Sequence, residues 1–147
     1  RVRLSAASAL AEMCSRAQSA IPALIEALND EDDEVIATAA HALAAIGPAA
    51  DSALPTLREL LPDKDNSVAV WLARALWSID QDSYTVVPAL VKALKDDDAR
   101  VRQIAAEFLG EIGPLAEPAI EPLTRALDDE DEDVAQASAR ALARIDR

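Results

Sequence analysis

The side chains that could do chemistry in this chain are few. His41 is the one histidine and Cys14 the one cysteine, so a base working near neutrality or a thiolate nucleophile would have to be one of these two. A hydrolytic triad needs a base held against a nucleophile and oriented by a third group. The residues that share the place of His41 in neighbouring segments are Ser8 and Arg74, which do not make one. His41 therefore reads as a surface histidine and Cys14 as a small residue at a helix end. One cysteine permits no internal disulfide, and no Cys/His cluster has metal-ligand spacing; no cofactor is expected.

A different chemistry, recognition, is concentrated between residues 70 and 77. Trp71, Arg74 and Trp77 follow one another at i, i+3 and i+6, with Val70 beside them. On a helix this spacing makes an inclined row in which a guanidinium can lie between two rings. Trp and Arg are also the residue types most enriched where proteins bind proteins. Two readings stand: the row faces a partner, or one or both tryptophans fill gaps between packed helices.

The elements that must position these residues recur at a fixed step, and a fixed step governs the reading of every residue. Val2, Val35, Val68, Val101 and Val134 are 33 residues apart. The same step relates Ala7, Ala40, Ala73, Ala106 and Ala139, then Leu10, Leu43, Leu76, Leu109 and Leu142, then Met13, Ile46, Ile79, Ile112 and Ile145. Their offsets from the valine describe one face of a helix rather than the alternation of a strand. A second apolar set, Leu24, Leu57, Leu90 and Leu123 with Leu28, Leu61, Leu94 and Leu127, marks a helix between successive valine helices. Pro22, Pro55 and Pro88 stand at its head, with Pro122 one place later in the fourth unit. A first helical turn tolerates proline because its N–H would be unpaired there anyway.

The connections are short. Gly47-Pro48 and Gly113-Pro114 end two valine helices, and Asp80 takes the glycine place in the third. Acidic runs such as Asn29–Asp33 and Asp128–Asp133 precede the valine helices, where carboxylates suit N-caps and the positive helix end. The expected architecture is all-α: an α-solenoid of antiparallel helix pairs with about nine helices. It forms one domain over 1–147, with units at about 1–18 (partial), 19–51, 52–84, 85–117 and 118–147. No unit can bury its apolar face alone, so neighbours must stack. The register opens in mid-unit on Arg1, as expected for a piece of a longer chain.

The formal net charge is −13, from 27 acidic and 14 basic residues. Such a field repels phosphate backbones, so nucleic acid is not an expected partner. No apolar run reaches the ~20 residues of a membrane span and no signal segment opens the chain, so a soluble protein is expected, with the cytoplasm favoured.

The segment 87–113, VPALVKALKDDDARVRQIAAEFLGEIG, joins a proline helix, an acidic turn, a valine, an Ala-Ala pair and a leucine. It resembles the HEAT repeat, particularly the short bacterial variety also found in phycobilisome lyases, and the likeness covers essentially the whole chain. No Thr-Pro-Leu-His run of the ankyrin type is present. In that family a turn aspartate pairs with an arginine following the valine. Asp30, Asp63, Asp96 and Asp129 match the acid and Arg3 and Arg102 the base, while Ile36, Ala69 and Ala135 interrupt the series. The HEAT-type deoxyhypusine hydroxylases hold iron with His-Glu pairs two and three residues after the valine. Here those places read Leu4-Ser5, Ala37-Thr38, Val70-Trp71, Gln103-Ile104 and Gln136-Ala137, so that activity is not expected.

The resemblance implies a concave face lined by the valine helices. The column six residues after each valine reads Ser8, His41, Arg74, Glu107 and Arg140. A protein partner is expected there, at Val70, Trp71, Arg74, Trp77, His41 and Glu107, without enzymatic activity. Two other classes remain: a bilin lyase or chaperone-like protein that handles a tetrapyrrole, and a structural spacer. The end helices carry no polar cap, so end-to-end self-association is also expected.

Overall fold

A computed structural model describes residues 18–146 together with Ser5. Every regular element among them is helical: α1 (Ile21–Ala27), α2 (Asp33–Ile46), α3 (Leu54–Leu60), α4 (Asn66–Asp80), α5 (Ser83–Ala93), α6 (Ala99–Ile112), α7 (Ile120–Ala126) and α8 (Glu132–Ile145). Three 3-10 segments join them, Gly47–Ala53, Leu61–Asp63 and Gly113–Ala119. Expectations for the first valine helix, including Cys14, Arg3 and Ser8, lie outside the described residues.

The chain forms two compact units, Arg1–Asp82 and Ser83–Arg147. In the first, α2 packs along α4, with α1 against α2 and α3 against α4. In the second, α6 packs along α8, with α5 against α6 and α7 against α8. The long helices α2, α4, α6 and α8 are the valine helices, and each buries its valine: Val35, Val68, Val101 and Val134. Leu43, Leu76 and Leu109 are fully buried with Ala40, Ala73 and Ala106. A fully buried leucine stabilises by about 1.5–3 kcal/mol, so the recurring column carries much of the fold's driving force. The alanines set how near the helices come. A Cβ built on Gly110 of α6 would stand 3.0 Å from the Cα of Ala141 in α8.

The acidic turns cap as their sequence suggests. Asp32, Asp98 and Asp131 are N-caps whose Oδ1 accepts from the backbone N–H of Glu34, Arg100 and Asp133. In each turn the aspartate two places earlier accepts from the cap's own N–H: Asp30 from Asp32, Asp96 from Asp98, Asp129 from Asp131. One capping residue thus receives one bond and supplies another, which fixes the entry to the helix. Asp65 caps α4 without a side-chain bond.

Gly47 and Gly113 end α2 and α6 at φ 78° and 74°, a region that L side chains rarely adopt. The third connection departs from expectation. Asp80 does not take the glycine place; α4 runs through it, and Gln81 holds the left-handed conformation at φ 52°. Without a Gly-Pro pair to open a 3-10 segment, helix resumes at Ser83, and Pro88 lies inside α5 instead of starting it. Pro22 and Pro55 do sit in first turns. Arg58 of α3 donates to Asp80 at 2.6 Å and to Asp82 at 3.3 Å, tying this turn down.

Candidate interaction surface

In the first unit the valine helices bring His41 of α2 and Trp71 of α4 together. Their ring centroids are 6.0 Å apart with planes at 87°, an edge-to-face contact. His41 is exposed, and Trp71, Arg74 and Trp77 are half-buried. Each indole thus packs part of its surface and leaves the rest accessible. Val70 does not belong to this surface. It is 2% exposed and joins the core of α4; where the equivalent places of the other valine helices hold Ala37, Gln103 and Gln136, an apolar valine is stabilised by leaving water. The sequence pattern did not show that His41 contacts Trp71. The signal was present in their offsets from consecutive valines, six and three, which set them on adjoining helices at similar height.

In the second unit a groove of about 240 Å³ runs between α6 and α8. Glu107 and Glu111 line it from α6, Arg140 and Arg144 from α8, and Gly110 and Ala141 form its floor. At that floor glycine meets alanine, the Ala141 Cα standing 3.0 Å from where a Cβ on Gly110 would be. Glu107 accepts from Gln103 Nε2 at 2.8 Å. Among the described residues, Arg140 and Arg144 have no carboxylate within ion-pair distance. The groove therefore sets two acids against two open guanidiniums, in a chain whose net charge is −13.

A third polar feature is structural. Arg102 of α6, 9% exposed, donates Nε and Nη2 to the two oxygens of Asp129, each at 2.9 Å, and Nη1 to the carbonyls of Asp96 and Asp97 at 2.9 and 3.1 Å. This fork-to-fork geometry is the strong form of an ion pair. It holds the Asp129 carboxyl below the usual carboxylate range, chiefly through the Arg102 hydrogen bonds. The same bonds raise Arg102 above its ordinary value against the opposing effect of burial. It is the aspartate-arginine rung that the family resemblance implied at Arg102. In the first unit Lys64 approaches Asp33 at 3.6 Å, a looser link between turns.

Among the described residues no three His, Cys, Asp or Glu side chains converge as metal ligands, and no helix is long and apolar enough to cross a membrane. Helix pairs in series, with recognition-type side chains on the long helices and ion pairs between turns, define a helical repeat protein. The family model for HEAT repeats matches residues 1–77 and 54–143, and the chain belongs to that family. Among solved structures it is similar to an engineered protein with 32% identity and a TM-score of 0.66, over 97% of this chain and 72% of that one. A second engineered protein has 31% identity and a TM-score of 0.65, over 99% of this chain and 44% of that one. A designed armadillo repeat protein, at 23% identity and a TM-score of 0.55 over 83% and 63%, shares the fold alone. No curated protein is similar enough to match the chain.

Proposed function

We propose that the chain is a non-enzymatic scaffold that binds a protein partner along the exposed surface of its valine helices, the concave side of an α-solenoid. HEAT and armadillo-like repeats typically serve protein interaction, which supports the coarse reading. The observation that carries the finer one is the set of groups left open on these helices. An Arg pair with no ion-pair partner among the described residues lines the α6–α8 groove, and two part-exposed indoles lie on α4. Trp and Arg are among the residue types most enriched at the few interface positions that carry most of the binding energy. Glu107 and Glu111 opposite the arginines favour a segment carrying both signs of charge.

The solenoid itself, about nine helices in one domain on a 33-residue step, is part of the same proposal. Its support is the starts of the valine helices at Asp33, Asn66, Ala99 and Glu132.

The test is capture from the source lysate by wild-type chain, by Trp71→Ala/Arg74→Ala and by Arg140→Glu/Arg144→Glu, each verified as folded by circular dichroism. A protein retained by wild type and lost from either variant supports the reading and names the half of the surface responsible. Equal retention by all three would reject it.

A further inference from the structure

We draw no further inference here: the strongest candidate, the mixed-charge groove between α6 and α8 where Arg140 and Arg144 face Glu107 and Glu111, belongs to the surface already described, and with its floor residues Ala137 and Ala141 already buried nothing in the structure shows what covers it.

Discussion

Replacing Asp129 by alanine removes both acceptors from two of the four hydrogen bonds made by Arg102 and leaves the guanidinium in a site that water scarcely reaches. Breaking a buried ion pair by removing one partner destabilises by about 3–5 kcal/mol. The two carbonyl bonds from Nη1 survive and a little of the arginine surface is accessible, so the low end applies, about 3 kcal/mol. Arg102→Ala is expected to lose a similar amount: Asp129 keeps the Asp131 N–H, but the carbonyls of Asp96 and Asp97 lose their donor. Removing both partners leaves no unpaired charge, so the double variant should lose well under the sum. The expected coupling is about 2 kcal/mol. For a chain of this size a 3 kcal/mol loss lowers the midpoint by roughly 6–12 °C. Thermal and urea melts of the four proteins, followed by circular dichroism, measure the cycle. Losses that add to within about 0.5 kcal/mol would refute the claim that the two side chains act as a pair.

Acid adds a check on the same pair. The Asp129 carboxyl is held below the usual range in the folded chain, so its stabilisation is complete above the unfolded value, about 3.9, and is lost as pH falls through the lowered folded value. Wild type and Asp129→Ala should therefore converge in stability in strong acid and differ fully at neutrality; a gap that persists at the lowest pH would contradict this. Gly110→Ala gains up to about 1 kcal/mol of helix propensity but drives a methyl to within 3.0 Å of the Ala141 backbone. Forcing α6 and α8 apart should make it a net loss of about 1–2 kcal/mol, seen as a lower urea midpoint. Ser138 is fully buried and its Oγ has no partner among the described residues, so Ser138→Ala is expected to raise the midpoint, by about 1 kcal/mol in stability. Gln81→Gly should stabilise by a similar amount, because the left-handed turn after α4 disfavours a Cβ. Melts of these variants decide the sign in each case.

Much of the fold is legible residue by residue. A leucine repeated on one helical face must be buried somewhere, so the column of Leu43, Leu76 and Leu109 announces a packed stripe before any coordinates exist. The caps at Asp32, Asp98 and Asp131 are equally readable, because a cap is a bond between near neighbours in the chain. So are Gly47 and Gly113, whose backbone conformation is a local property. The third connection was misread for the same reason: a rule built on glycine and proline has no purchase where Asp80, Gln81 and Asp82 stand, and long-range pairing to Arg58 helps hold that turn.

What the sequence determined by itself, then, is what depends on a few residues in a row: helix type, helix ends, and which side of each helix is apolar. Tertiary structure decided what depends on two helices at once. Val70 went into the core, Trp71 met the edge of His41, Arg102 reached Asp129 far along the chain, and Arg140 and Arg144 came to face Glu107 and Glu111 across a glycine floor. These outcomes follow from the interaxial distance and rotation of packed helices. Small residues at the contact, Gly110 and Ala141 among them, determine that geometry, and no single helix contains the information.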